Sequence, residues 1–86
     1  MDELQKLRQE IDAVDSKILS LIAKRLGIVK KIGEYKKRNK IPVIDTSREH
    51  LLLESLREKS KKYNLDFQLM KSIWKLLFQA SYKKEK

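Results

Sequence analysis

Through the first forty residues, apolar side chains recur at alternating steps of three and four. They are Leu4, Leu7, Ile11, Val14, Ile18 and Leu21, then Ile28, Ile32 and Tyr35. That is the period of an amphipathic helix whose stripe faces other helices. No proline interrupts it before Pro42. A helix over about residues 2–38 would be about 57 Å long. A compact domain of 86 residues has a radius of gyration of only about 12 Å. Such a helix cannot bury its stripe inside one chain and needs a partner. The pattern also breaks once. The step after Leu21 falls on Arg25, a cation on the apolar stripe. It must be paired, reach water or serve a ligand.

The rest of the chain reads as two shorter helices. Pro42 turns Ile41 away from helical geometry, and the apolar Val43 and Ile44 suggest a loop that packs down over residues 39–47. Helix 2 starts near Asp45 or Thr46 and runs to about Lys62. Thr46 and Glu49 have capping-box spacing, and Leu51, Leu52, Ser55 and Leu56 fall on or near its buried side. After the turn Tyr63-Asn64-Leu65, Asp66 is a good N-cap. Helix 3 runs from Phe67 to about Lys83. Its stripe of Phe67, Met70, Ile73, Trp74, Leu77 and Phe78 continues onto Ser81 and Glu85. Gly27 and Gly33 cost helix 1 about 1 kcal/mol each, so each is expected to accept another backbone at close range. The expected fold is all-α: a single domain of three helices with one long amino-terminal helix, completed by homodimerisation.

Composition removes several function classes. With no cysteine and one histidine, His50, there is no disulfide framework and no thiolate site, and a metal centre is not expected. The charged amino terminus lacks the apolar core of a signal peptide. No apolar run approaches a membrane span, so a cytoplasmic protein is expected. The net charge of +9 is spread over both halves of the chain and favours anionic partners. Nucleic acid is disfavoured. There is no helix-turn-helix signature, and Phe67, Trp74 and Phe78 lie on the core stripe rather than among basic residues. A membrane-surface helix is disfavoured because the apolar faces have internal partners.

Several polar residues recur on the same faces. Lys36 lies eleven residues after Arg25, three turns on and roughly 16 Å along the same face. Both could look into one pocket if another element bridged that span. Arg8 is about 25 Å the other way, too far for the same pocket in the same chain. It is within reach of a partner's pocket in an antiparallel dimer. Each has a plainer reading. Arg25 could set register in a coiled coil, Lys36 could be solvated, and Arg8 could form an interhelical ion pair. Asp45 and Glu49 could be caps, and Ser81 and Glu85 the fraying end of helix 3.

Taken together, these spacings resemble the all-helical class of chorismate mutases. The likeness covers essentially the whole chain. It rests on LRQEIDAVDSKILSLIAKR at residues 7–25, on Lys36, on PVIDTSRE at 42–49 and on the end of helix 3. In that family the first helix reads L-R-x-x-I-D-x-(I/V/L)-D-x-x-(I/L)-(I/L)-x-L-(I/L)-x-x-R, and every marked position is filled here. The resemblance implies an intertwined homodimer, a six-helix bundle with two active sites, which rearranges chorismate to prephenate on the route to phenylalanine and tyrosine. It implies that Arg8 reaches the partner's site and that Arg25 binds a substrate carboxylate. Lys36 would contact a carboxylate and the ether oxygen. Asp45 and Glu49 would lie near the ring hydroxyl, supported by Arg48, and Ser81 near the ring carboxylate. A pyruvate lyase acting on isochorismate would use the same fold and a similar site.

The chemistry of such a reaction agrees with the residues. A [3,3] shift needs no nucleophile, metal or cofactor. It needs a dianion held in a reactive conformer and donors at the ether oxygen, where negative charge grows. Arginine forks suit carboxylates, and a point-like lysine suits the oxygen. Ile32, Phe78 and Tyr82 would form apolar walls. Where well-known bacterial members have glutamine on the last turn of helix 3, this chain has Glu85. An ionised carboxylate would repel the oxyanion and a protonated one would donate to it. Glu85 is therefore expected to act in its neutral form, with activity declining as pH rises. The pH–rate profile of Glu85→Gln against wild type tests this, and identical profiles remove Glu85 from the mechanism.

Overall fold

The computed structural model describes residues 2–86. It contains three helices: α1 (Glu3–Arg38), α2 (Thr46–Lys62) and α3 (Phe67–Glu85). Among the described residues there is no strand. The expected all-α class and helix number are therefore what the chain adopts.

Each helix begins on an aspartate. The side chains of Asp2, Asp45 and Asp66 accept hydrogen bonds from the backbone N–H groups of Gln5, Arg48 and Leu69. These satisfy donors that a helix start leaves without partners. The capping-box spacing of Thr46 and Glu49 is not used, because Asp45 is the cap. That frees the Glu49 side chain for another contact.

The first two helices end alike. After α1, Ile41 N–H bonds to Lys36 O at 2.8 Å and Lys40 takes φ 54°. After α2, Leu65 N–H bonds to Ser60 O at 2.8 Å and Asn64 takes φ 55°. Both are Schellman ends with a left-handed residue just past the cap. The first doubles the chain back, so that Val43 comes over the end of α1 and its carbonyl accepts from Lys36 Nζ at 2.8 Å.

Helix α3 packs against both α1 and α2. The core takes one apolar residue from each: Val29, Leu56 and Phe78. No described side chain is fully buried, so the core is thin even for a small domain. The radius of gyration is 16.4 Å and the long dimension 57 Å, well beyond the compact value. Leu4, Leu7, Ile11, Val14 and Ile18 are each between 49% and 59% exposed. The amino-terminal half of α1 thus carries its stripe largely uncovered by the described residues of its own chain. On α2, Leu51 and Ser55 are exposed rather than near the buried side, while Leu56 and Ser60 are buried.

The two glycines of α1 differ. A Cβ on Gly33 would fall 2.6 Å from both the Cα and the carbonyl oxygen of Glu85. The last turn of α3 therefore rests directly on the α1 backbone there, as expected. A Cβ on Gly27 would meet nothing within 4 Å. The expected close approach is absent at that position within the chain.

Candidate active site

The three helices each present residues at helical spacing to one cavity of about 290 Å³. Helix α1 supplies Arg25, Val29, Ile32 and Lys36. The start of α2 supplies Asp45, Arg48, Glu49 and Leu52, and the end of α3 supplies Phe78, Ser81, Tyr82 and Glu85. Steps of three and four keep each set on one face. The size suits a small ligand.

Helix α3 bridges the span between the two α1 cations. Arg25 Nη1 donates to Ser81 Oγ at 2.7 Å. One turn on, Lys36 Nζ lies 2.6 Å from Glu85 Oε1, with side chains only 15% and 6% exposed. That close approach is an ion pair by distance, yet Glu85 Oε1 makes no hydrogen bond of good geometry and is buried. Arg25 has no carboxylate within ion-pair distance among the described residues. A half-buried guanidinium satisfied only by a serine hydroxyl has donors left for an anion.

The dipole of its own helix disfavours Glu85 where it stands. A carboxylate in the last turn of a helix opposes the helix dipole, at a cost of about 0.3–1 kcal/mol. Lys36, Lys37 and Arg38 in the last turn of α1 have the favourable sign. Helix α3 extends through Glu85, two residues past the expected end near Lys83. The residue is therefore ordered helix held against Lys36. The carboxylate faces an ammonium, so a neutral Glu85 would require that pair to part when a ligand binds.

Opposite these groups, Tyr82 OH donates to Glu49 Oε2 at 2.6 Å. Burial first, and then this hydrogen bond, push the Tyr82 phenol up to about 12. From the sequence Tyr82 reads only as an apolar wall; its hydroxyl link to Glu49 is a missed feature. The signal was the choice of tyrosine over phenylalanine on a half-buried face, where the hydroxyl needs a partner.

The cavity thus gathers Arg25, Lys36, Asp45, Arg48, Glu49, Ser81 and Glu85. Asp45 Oδ1 is engaged as the α2 cap. Arg8 is not brought there. It lies on the exposed half of α1, seventeen residues before Arg25. The lining holds three cations against three carboxylates, a balance of zero. Among the described residues no group of three histidine, cysteine, aspartate or glutamate side chains could hold a metal ion. No helix of the described chain is long and apolar enough to cross a membrane.

Residues 7–86 match the model of the family described as chorismate mutase type II. The chain belongs to that chorismate mutase family. It is 33% identical over 79 residues to a chorismate mutase of Methanocaldococcus jannaschii, covering 92% of this chain and 80% of that protein. It is 35% identical over 83 residues to the T-protein of Enterobacter agglomerans, covering 96% and 22%. It is 36% identical over 80 residues to a bifunctional chorismate mutase/prephenate dehydratase of Buchnera aphidicola, covering 93% and 21%. The chain therefore spans most of the first of these relatives and about a fifth of the other two. Its membership makes it an isomerase of the chorismate mutase type.

Proposed function

We propose that this cavity converts chorismate to prephenate, and that it is completed by a second copy of the chain. The observation that carries the reading is Arg25, half-buried and satisfied only by Ser81, facing the same cavity as Lys36 and Glu85. Arg25 binds one substrate carboxylate with its free donors. Lys36 exchanges its contact with Glu85 for a carboxylate and the ether oxygen. Glu49 and Asp45 lie by the ring hydroxyl, supported by Arg48, and Ser81 by the ring carboxylate. Glu85 donates to the ether oxygen in its neutral form. Val29, Ile32 and Phe78 keep water out, which strengthens each of these contacts. The reaction itself is unimolecular, and the site acts by holding the reactive conformer and stabilising the separating charge.

Charge balance supports a second chain. The lining is neutral, and a bound dianion would leave two negative charges without partners. One further cation and a protonated Glu85 would restore the balance. Arg8 is that cation. A groove of about 410 Å³ between α2 and α3, with Leu56, Met70 and Trp74 in its lining, shares Arg48 and Leu52 with the cavity. The exposed stripe of a partner's α1 fits that groove, and a helix lying there would come up beside the site. The reading is of a cytoplasmic homodimer with two sites, each using one arginine from the other chain, acting in phenylalanine and tyrosine biosynthesis.

Purified protein given chorismate should form prephenate. Free pyruvate from isochorismate, with no prephenate from chorismate, would instead make it a lyase. Arg8→Ala and Arg25→Ala chains should each be inactive. Unfolded and refolded together in equal amounts, they should regain roughly a quarter of wild-type activity, because half the dimers are mixed and each has one intact site. A mixture as dead as its components removes Arg8 from the partner's site.

A further inference from the structure

Glu49 and Tyr82 lie 33 residues apart in sequence, on different helices. Their contact is the one side-chain to side-chain hydrogen bond between α2 and α3 among the described residues. Both residues line the cavity, and the bond between them is half-buried. A glutamate has three rotatable bonds, and an ionised one beside an incoming dianion is repelled. Fixing it therefore requires a donor. A cationic donor would neutralise the carboxylate, whereas a phenol holds it and leaves it charged.

We propose that Tyr82 is a positioning residue: its hydroxyl holds one oxygen of Glu49 so that the other accepts the hydroxyl of the bound ring. The inference rests on the reading of the cavity as a chorismate site and adds to it a residue that touches Glu49 rather than the reacting atoms. It also links the first turns of α2 to the last turns of α3, which carry Ser81 and Glu85. The phenol remains a donor over the whole range in which such an enzyme would be assayed. Its pKa is raised from 10.0 to about 12. The stabilisation is thus complete below pH 10 and is lost as pH rises towards 12.

The test compares wild type with Tyr82→Phe on two substrates, chorismate and an analogue with hydrogen in place of the ring hydroxyl. Tyr82→Phe should lose about tenfold in kcat/KM on chorismate and little on the analogue. In a Glu49→Ala background the same change should cost less than twofold. Equal losses on both substrates, or equal losses in both backgrounds, would make Tyr82 a wall and overturn the proposal. A wild type inactive on chorismate would instead overturn the assigned reaction, so the two failures are distinct. Phenol titration by absorbance gives a second measurement that does not need Tyr82→Phe to fold. Of the three tyrosines, the last to titrate should move to lower pH in Glu49→Gln, and an unmoved phenol overturns the link.

Discussion

Arg25→Ala is expected to lose on the order of a thousandfold in kcat/KM while its helix content and sedimentation stay those of wild type. The two outcomes separate because of how Arg25 is placed. It is a half-buried cation with one hydrogen bond, to Ser81 Oγ, and no ion pair. Its removal costs one hydrogen bond and some packing of its stem, but relieves a desolvated charge. The net change in stability should stay within about 1 kcal/mol. A residue kept for register or packing would give the reverse pattern, a less stable chain with its turnover unchanged. Denaturant unfolding and steady-state kinetics on one preparation distinguish them. A fully active Arg25→Ala chain would end the assignment of this residue.

Gly33→Ala should be nearly as damaging to activity, by about a hundredfold, although it touches no ligand. Helix propensity alone predicts a gain of about 1 kcal/mol from this change. The new Cβ, however, would stand 2.6 Å from the Cα and carbonyl oxygen of Glu85. Those are backbone atoms, so a side-chain rotation cannot relieve the clash and the last turn of α3 must move away. Such overpacking costs about 1–3 kcal/mol, so a net loss of about 1 kcal/mol is expected. The larger effect is on geometry. A displacement of about 1 Å in a group that positions a substrate can cost about a hundredfold, and Glu85 and its contact with Lys36 ride on that turn. Thermal unfolding and kcat/KM measured together test this. A more stable and fully active Gly33→Ala chain would mean that the close approach has no bearing on the site.

Much of this was legible in the sequence because helices have a short, fixed period. The stripe of α1, the loop at Pro42 and the Asp66 cap are local patterns, and each helix forms near its expected limits. The same periodicity exposed Arg25 as a charge on an apolar face, and a resemblance across three helices supplied the residues around it. What was missed involved contacts between segments distant in sequence. The Tyr82 link to Glu49 and the Lys36 contact with the Val43 carbonyl each depend on how two elements meet. The Thr46–Glu49 capping box is not formed, because the neighbouring Asp45 caps α2 instead, and within the described chain no other helix comes up to Gly27.

The sequence by itself determined three helices, where they break, and that α1 is too long to be covered by its own chain, because these follow from period and length. Only the tertiary structure decided which polar groups meet. Helix α3 crosses the end of α1 at a glycine, and that crossing brings Ser81 to Arg25 and Glu85 to Lys36. The angle and register of a crossing depend on the shapes of both surfaces, and no single segment contains that information.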